Sequence, residues 1–527
     1  MDDDIIFRPL KFRNLTVKNR LFRSNITGRF DNYDGSGTQA RINWEEQFAR
    51  GGVGAILSSF VPVSIRGRVQ PNYAAIDHDD KIPFWIKVGE AVHRHDDCKY
   101  ILQLSHSGRQ RDIPGVENVM NYGLSATSRD DYFHGLLCNS MTVAEIQDVI
   151  QMFVLGARRA KKAGLDGVEL HASHGYLFTQ FLSSAINDRD DAYGGTLKNR
   201  ARFLIEVIRA IRKEVGDDFF LSVKTNAVDF DNALFPWRHP GNTLEDSIQV
   251  CQWAEQEGID ALHISVGSIF PHPLLPSGGF PVDEANWWYG VMSNSGVRSF
   301  ANLTAFHFRI LRPLFLWLWN RAKRSHPVEG VSAEYAREVK KHVKIPVINT
   351  GGYQDARLIR AVISQGWCDA VSIARPLIAN PDLPKILAGG KDLPDSPCTF
   401  CNRCLLNAIA NPLGCYDVTR FGGDQDAMIR RAMAVFRPDG FGGHPPIVLP
   451  PPTPPTLPND GGKRAYTHVR RWALPGLNRT EPDVLIDQVR DSPVDTRQLR
   501  FRRRLILAST LLFLGVAALI LWAVFRQ

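Results

Sequence analysis

Two histidines and a tyrosine follow a short apolar run, at His171, His174 and Tyr176. The run, residues 167–172, has the length and composition of a buried strand. A parallel barrel holds its reactive side chains where strands end, so polar groups at this position can meet a ligand. No third metal ligand stands nearby. The spacing therefore indicates recognition of an anion or a carbonyl together with a proton donor, rather than a zinc site.

Short β-branched runs alternate with helical patterns over most of the chain. Eight of them are predicted as strands, at residues 20–27, 54–59, 100–105, 167–172, 219–226, 261–266, 346–350 and 368–374. Between them the sequence predicts helices, among others at residues 143–163, 196–215 and 244–256. Alternating strands and helices indicate parallel pairing, and eight such units predict an α/β protein with a closed (β/α)8 TIM barrel. An open doubly wound sheet is the alternative, although no G-x-G-x-x-G follows the first strand.

The sequence predicts three parts: a barrel over residues 1–420, a Pro-rich and basic linker over 421–504, and a transmembrane helix over 505–525. The last part has 21 residues without a charge, enough to cross a bilayer. Arginines crowd the residues before it, which favours a cytosolic catalytic part. We therefore expect a tail-anchored, single-pass membrane protein, with the endoplasmic reticulum favoured over the mitochondrial outer membrane. A buried core helix is the alternative interpretation.

The net charge, the cysteines and a second apolar stretch bear on which partners the protein could bind. The net charge of +8 is concentrated near the predicted anchor, so no nucleic-acid partner is indicated. A chain without a secretory signal is not expected to use its eight cysteines for disulfides. A second apolar stretch, residues 310–319, is too short to span a bilayer. It is consistent with a membrane-interface segment, an apolar lid over the barrel mouth or a packed loop.

Several motifs appear in one order along the chain. They are residues 9–10 with 14–20, residues 103–109, the His171 cluster, residues 187–195 with 199–203, Gly351-Gly352, and residues 374–381. In this order, from about residue 7 to residue 415, the chain resembles the Old Yellow Enzyme family of FMN-dependent NAD(P)H:flavin oxidoreductases. Enzymes of the 2,4-dienoyl-CoA reductase type are near relatives.

The resemblance implies three contacts to the flavin ring. Gln103 matches the amide that binds the pyrimidine edge, and Thr27 lies where the family places a residue near the C4 oxygen. Lys224 replaces the arginine that many members hold near N1 and O2, keeping the charge but losing the planar fork.

A phosphate site is expected at the end of the chain's last two strands. The N–H groups of Gly351 and Gly352 can approach an anion closely, and Arg375 adds a charged side chain. Barrels often bind phosphate after strands seven and eight. The resemblance assigns this place to the phosphate of FMN.

The resemblance also implies the reaction. NADH or NADPH reduces FMN, and an α,β-unsaturated small molecule, expected to be apolar, then takes hydride from flavin N5. His171 and His174 match residues that bind the electron-withdrawing group of the substrate, and Tyr176 matches the residue that protonates the α-carbon. The expected activity is that of an ene-reductase. The natural substrate and the choice between NADH and NADPH are not predicted.

Four cysteines fall in one window, at Cys398, Cys401, Cys404 and Cys415. Their spacing allows a [4Fe–4S] cluster or zinc, and reduced structural thiols are the third interpretation. The dienoyl-CoA reductase arm has one more residue between its second and third cysteines, and no dinucleotide-binding portion follows here. Two alternatives to the simple ene-reductase therefore stay open: an iron–sulfur dienoyl reductase, and a non-catalytic flavin-binding scaffold tethered to a membrane.

Overall fold

A computed structural model describes residues 4–111, 122–131, 135–232, 238–267, 272–293, 297–323, 326–409 and 411–436. By its internal contacts the chain divides into two compact units, Met1–Asp439 and Gly440–Gln527. The predicted transmembrane helix, residues 505–525, lies outside the described residues, as does the predicted linker beyond residue 436. Within the described ranges, no helix is long and apolar enough to cross a membrane.

Eight parallel strands form a closed barrel. Numbered β1 to β8 in chain order, they are Leu21–Arg23, Ala55–Leu57, Lys99–Ser105, Gly167–Ala172, Phe220–Asn226, Ala261–Ser265, Val347–Thr350 and Ala370–Ile373. Each strand pairs with the next, and β8 pairs with β1. Closure leaves no exposed edge. The predicted barrel is confirmed, each predicted strand overlaps one barrel strand, and the open doubly wound sheet is wrong.

Five shorter strands lie outside the barrel ring in the described residues. Leu10–Lys11 pairs with Thr16–Val17, Val61–Pro62 pairs with the end of β3, and Gly123–Ser125 pairs with Cys138–Ser140. The first pair carries Leu10, Phe12 and Val17 into a cluster with buried residues near the starts of the barrel strands. Apolar side chains therefore fill the amino-terminal end of the barrel, and the carboxyl ends of the strands are left to carry the polar groups.

The described residues contain fifteen α-helices and four short 3₁₀ helices. The α-helices, α1 to α15, are Gln39–Arg50, Ile82–His93, Val143–Lys162, Leu177–Leu182, Leu197–Val215, Leu244–Gln256, Val282–Met292, Val297–His307, Arg312–Ala322, Ala333–Lys340, Ala356–Ser364, Arg375–Ala379, Leu383–Ala388, Arg403–Asn407 and Gln425–Met433. The 3₁₀ helices are Ile65–Gly67, Asp79–Lys81, Val418–Phe421 and Ala434–Phe436.

Capping side chains set where the long helices begin. Thr142 accepts a hydrogen bond from the Glu145 N–H, and the Glu145 carboxylate accepts one from the Thr142 N–H, which together form a capping box. Thr196 caps α5 by accepting a hydrogen bond from the Asn199 N–H. Helix α5 ends at Gly216, whose φ of +77° is disfavoured for other residues. The three predicted helices are present as α3, α5 and α6.

Helices α7 to α9 follow β6 and pack over the barrel. With neighbouring loops they form a cluster that we name the aromatic roof, whose buried members are Phe60, Val69, Tyr73, Leu136, Ala285, Trp288, Tyr289, Met292, Phe306, Leu406 and Ile409. Phe315 of α9 and Tyr176 both pack against it. The apolar stretch 310–319 thus belongs mainly to a helix, and its interpretation as a packed loop is wrong.

The first unit continues beyond residue 420, the predicted end of the barrel domain. The Asn43 amide of α1 donates to the Val435 carbonyl, and the Phe30 ring lies 6.0 Å from that of Phe436. Val435 is buried in the same hydrophobic cluster as α1. Helix α15 and the turn after it are therefore packed as part of the barrel unit.

Candidate active site

The chain turns sharply after β4 and brings its three predicted reactive side chains together. His174 has a φ of +61° and Gly175 one of +76°, a left-handed pair that links β4 to α4. Few residues other than glycine adopt this conformation, and it concentrates at functional sites. The turn places the His171 ring 5.3 Å from that of His174 and 4.8 Å from that of Tyr176, measured between centroids.

Both histidines are neutral near pH 7. Burial and the nearby Lys224 ammonium lower the pKa of each well below its ordinary value. His171 Nδ1 lies 3.2 Å from Ser173 Oγ, and His174 Nε2 lies 2.9 Å from Ser265 Oγ. When each serine hydroxyl donates to these atoms, the opposite ring nitrogen carries the proton. The pair can then donate two hydrogen bonds to one ligand oxygen.

Tyr176 keeps its proton. Its ring packs 5.0 Å from that of Phe60, at the underside of the aromatic roof, and burial raises the pKa of its hydroxyl above the ordinary value. A protonated phenol beside two neutral imidazoles can deliver a proton to a bound molecule.

A polar network crosses the barrel interior below these rings. The Gln103 amide donates to Glu169 Oε1 at 2.9 Å, and His263 Nδ1 lies 2.9 Å from Glu169 Oε2. His263 Nε2 lies 2.7 Å from Ser372 Oγ. Of these residues, Gln103 was predicted from the sequence, whereas Glu169 and His263 were not. Each of the two is a polar residue within an apolar strand, which could have indicated its role. Such a residue is unusual unless its side chain forms hydrogen bonds inside the protein.

Lys224 is buried on β5 and is the cation of this network. Its ammonium donates to Asn25 Oδ1 at 2.8 Å, and burial lowers its pKa to about 8. Burial alone would raise the pKa of Glu169, but His263, Lys224 and Gln103 together hold it below its ordinary value. In this network, therefore, Glu169 is a carboxylate and Lys224 an ammonium at pH 7.

Gln103 fits a planar heterocycle with an N–H group. Its side chain is fully buried, its N–H₂ is held by Glu169, and its Oε1 atom has no hydrogen-bond partner within the described residues. A buried acceptor without a partner costs about 1–3 kcal/mol, which a ligand donor would recover. The pyrimidine edge of a flavin supplies such a donor, and Lys224 can stabilise negative charge on the same ring.

Thr27 is placed nearby but is already engaged. Its Oγ1 accepts a hydrogen bond from the Phe60 N–H at 2.8 Å, and it also interacts with the Tyr73 hydroxyl. Thr27 therefore positions the wall formed by Phe60 and Tyr73.

The two predicted phosphate-binding glycines follow β7 directly. A Cβ atom at Gly351 would lie 2.9 Å from Ser332 Oγ, and one at Gly352 would lie 2.7 Å from the Val328 carbonyl oxygen. Gly352 also has a φ of +79°. The turn thus requires small residues, and it stands where strands seven and eight of a barrel commonly bind phosphate.

The Arg375 side chain points to a different place from the one that the sequence suggested. Its guanidinium donates to the Ser277 carbonyl and to Asn402 Oδ1, both at 2.5 Å, and stacks on Phe400. With all four clustered cysteines it lines one cavity, and Phe400 separates it from Gly352. The structure therefore groups the Arg375 guanidinium with the cysteines. A phosphate bound at the predicted place would contact the Arg375 backbone rather than its guanidinium.

Cys398, Cys401, Cys404 and Cys415 line that same cavity. The Phe400 N–H donates to Cys398 Sγ at 3.4 Å, and Arg420 donates to Cys415 Sγ at 3.1 Å. In the described part of the chain, no three His, Cys, Asp or Glu side chains are grouped to hold a single metal ion. A [4Fe–4S] cluster has a different requirement, because each of its thiolates binds a separate iron. The four thiols that line this cavity match such a cluster in number, and two of them accept N–H···S hydrogen bonds.

A second cavity, of about 490 Å³, is lined in part by Arg109. Four arginines and two aspartates contribute to its lining, namely Arg109, Arg129, Arg238, Arg298, Asp130 and Asp231. The Gln180 side chain joins the Arg109 N–H to the Gly175 carbonyl, beside Tyr176. The cavity walls therefore carry more positive than negative charge.

Comparisons with known proteins place the chain among flavin enzymes. Residues 5–272 and 317–393 match the model of the NADH:flavin oxidoreductase / NADH oxidase family. The NADH oxidase of Thermoanaerobacter brockii is 30% identical over 426 residues, which cover 78% of this chain and 57% of that protein. The cinnamate reductase of Clostridium sporogenes is 28% identical over 424 residues, covering 77% and 56%.

A solved structure shows the same relationship. A complex of 2-naphthoyl-CoA reductase with 2-naphthoyl-CoA superposes with a TM-score of 0.63 at 26% identity, covering 80% of this chain and 58% of that one. The chain thus spans little more than half the length of each of these three proteins. The family match leaves residues 273–316 unassigned, which are α7, α8 and the start of α9.

Proposed function

We propose that this chain, a member of the NADH:flavin oxidoreductase / NADH oxidase family, reduces a C=C bond conjugated to a carbonyl or similar group. It would use FMN as its cofactor and NADH or NADPH as the electron donor. The observation that carries this proposal is the arrangement of two neutral histidines and a protonated tyrosine beside a buried amide acceptor and a buried ammonium. FMN, when bound, supplies hydride transfer.

The chain's own residues hold the cofactor and the substrate. Gln103 and Lys224 would hold the pyrimidine edge of FMN, and the Gly351–Gly352 turn its phosphate. His171 and His174 donate to the substrate oxygen, which draws electron density from the double bond. Tyr176 delivers its phenolic proton to the carbon next to that oxygen-bearing group. The aromatic roof keeps water from the reacting carbon.

The names of two relatives bear on the substrate class. Cinnamate and 2-naphthoyl-CoA both have unsaturated carbon conjugated to a carbonyl, next to an aromatic ring. The roof over Tyr176 presents Phe60 and Tyr73 to that side of the site. We propose an apolar, conjugated small molecule as the substrate.

Absorption spectroscopy of the purified full-length protein tests the proposed function. Flavin bands should bleach on anaerobic addition of NADH or NADPH and return on addition of a conjugated enone, which should be recovered as the saturated product. A protein that takes up no FMN would instead support the non-catalytic scaffold. Flavin that bleaches but is reoxidised only by oxygen would leave an NADH oxidase activity and exclude alkene reduction.

The charge of Lys224 predicts a pH effect on flavin reduction. Because its lowered pKa is about 8, the ammonium is present below that pH and lost as pH rises through it. The rate constant for flavin reduction should therefore fall above about pH 8. Stopped-flow reduction across this range would measure it. Lys224→Arg is the matched control, since arginine stays charged and should remove the pH dependence; the same fall in both proteins would assign it to another group.

The four cysteines support a second candidate, an iron–sulfur enzyme of the dienoyl reductase type. We propose that Cys398, Cys401, Cys404 and Cys415 hold a [4Fe–4S] cluster, with Arg375 and Arg420 offsetting its negative charge. Such a cluster would pass single electrons, and the residues around it tune its potential.

Removing one cysteine tests this cluster. Cys404→Ala should lose iron, acid-labile sulfide and the broad absorbance near 400 nm that is typical of such clusters. Cys251→Ala is the control, because Cys251 is equally buried but lies on α6. Iron analysis of both variants after anaerobic purification measures the outcome. Wild-type protein without iron would leave the thiols as structural residues.

Membrane attachment stays a prediction from the sequence of residues 505–525. We propose that this segment anchors the chain and that residues 1–439 carry the flavin. A chain ending at Asp439 should remain in the supernatant after ultracentrifugation of cell lysate and should retain FMN, while the full-length chain should sediment with membranes. Loss of FMN on truncation would show that the second unit is needed for the flavin site.

A further inference from the structure

Helix α9 has two apolar faces, of which the protein covers one. On the inner face, the Phe280 ring lies 4.8 Å from that of Phe315 and 4.5 Å from that of Trp319. Arg312 fixes the helix further by donating to the Phe306 carbonyl and to Asp283. The helix is therefore held against the aromatic roof, and its orientation is defined.

The outer face is open. Ile310, Leu314, Trp317 and Leu318 are 86%, 58%, 50% and 47% exposed. Leu314 is three residues from Trp317 and four from Leu318, which places these three on one side of α9, and Ile310 lies in the turn before the helix. Contiguous apolar side chains of this size are uncommon on a surface that only water contacts, and they mark a site of interaction.

The charge of the same segment identifies what would cover this face. Residues 285–328 contain six lysines and arginines and no aspartate or glutamate. Arg309 and Arg321 are exposed beside the apolar face, and the Arg321 guanidinium lies 5.4 Å from the centroid of the Trp317 ring. Leucine and tryptophan flanked by basic residues are the composition of helices that lie in the headgroup region of a bilayer.

We propose that the outer face of α9 lies on an anionic lipid surface, with Leu314, Trp317 and Leu318 among the acyl chains and Arg309 and Arg321 at the headgroups. A second copy of the chain fits less well, because a two-fold contact would bring the same arginines together. A lipid surface also agrees with the charge-free segment 505–525 of this chain. The proposal does not depend on the reaction.

Fluorescence quenching by brominated lipids tests the proposal on the full-length protein. Vesicles of phosphatidylcholine and phosphatidylserine with brominated acyl chains quench only tryptophans that reach the acyl region. Trp317→Phe should lose a component of this quenching relative to wild type, whatever else holds the chain on the vesicle. Trp44→Phe, which replaces a buried tryptophan of α1, should lose none. Equal quenching of wild type and Trp317→Phe, or no vesicle binding, would overturn the proposal.

A second variant tests the same face of α9 without removing a tryptophan. Leu314→Glu with Leu318→Glu should abolish the same quenching component while Trp317 is still present, since each buried leucine contributes about tenfold or more to partition. Ile86→Glu, an exposed apolar residue of α2, should leave it unchanged. If light scattering instead shows a dimer without lipid that the double variant dissociates, a second copy covers α9 and the lipid proposal is wrong.

Discussion

Replacing Tyr176 with phenylalanine is expected to slow reduction of the C=C bond by about 10²–10⁴-fold, the usual contribution of a positioned general acid. Burial raises the pKa of the Tyr176 hydroxyl, the proposed proton donor, so it is protonated at neutral pH. Phenylalanine keeps the ring contacts with Phe60 and His171, and the aromatic roof should stay in place. The loss should therefore fall on the protonation step alone.

Measuring the two half-reactions separately distinguishes a loss of proton delivery from a general loss of activity. Anaerobic stopped-flow mixing with NADH or NADPH should reduce the flavin of Tyr176→Phe as fast as that of wild type, whereas reoxidation by an enone should be slow. Tyr73→Phe is the matched control, because it removes a neighbouring buried phenol that the proposed mechanism does not use. Unchanged reoxidation in Tyr176→Phe would assign proton delivery to water or to another residue.

Replacing His174 with glycine is expected to lower kcat for alkene reduction by about 10²–10³-fold, the cost of removing one donor to a developing oxyanion. Glycine suits the left-handed backbone at this position, where φ is +61°, so the loss should not come from strain. Because burial and Lys224 keep the pKa of His171 and His174 well below its ordinary value, both act as neutral donors. Neither should titrate near neutral pH.

His174→Asn tests whether donation is what matters. Asparagine also accepts a left-handed backbone and retains an N–H donor, so it should recover most of the lost rate. Steady-state kinetics with one enone, for wild type and both variants, would measure this series. If asparagine is as slow as glycine, the imidazole ring is required for its shape or basicity, and the two-donor model is incorrect.

The barrel could be predicted because its signals are local. Each strand is a short apolar run between helices, and side-chain periodicity together with caps such as Thr142 and Thr196 shows where helices begin. The cluster of His171, His174 and Tyr176 was equally visible, since all three lie within six residues. Residues so close in the chain must be close in space, whatever the rest of the fold does.

The polar network below the site could not be predicted in the same way. Glu169, Gln103 and His263 come from three different strands, and only the closed barrel brings them within hydrogen-bonding distance. A single polar residue in an apolar strand does not reveal its partner. For the same reason, the sequence did not predict where the Arg375 side chain lies. Its hydrogen-bond partners, Ser277 and Asn402, are far away in the sequence.

Local periodicity and short spacings in the chain were enough to predict the eight-stranded barrel, helices α3, α5 and α6, and the proximity of His171, His174 and Tyr176 after β4. Only the tertiary structure decided that four cysteines share one cavity, that α7 to α9 roof Tyr176, and which face of α9 remains exposed. These properties depend on contacts between segments distant in the chain. Such contacts depend on how the whole molecule packs, so they cannot be predicted from a local sequence pattern.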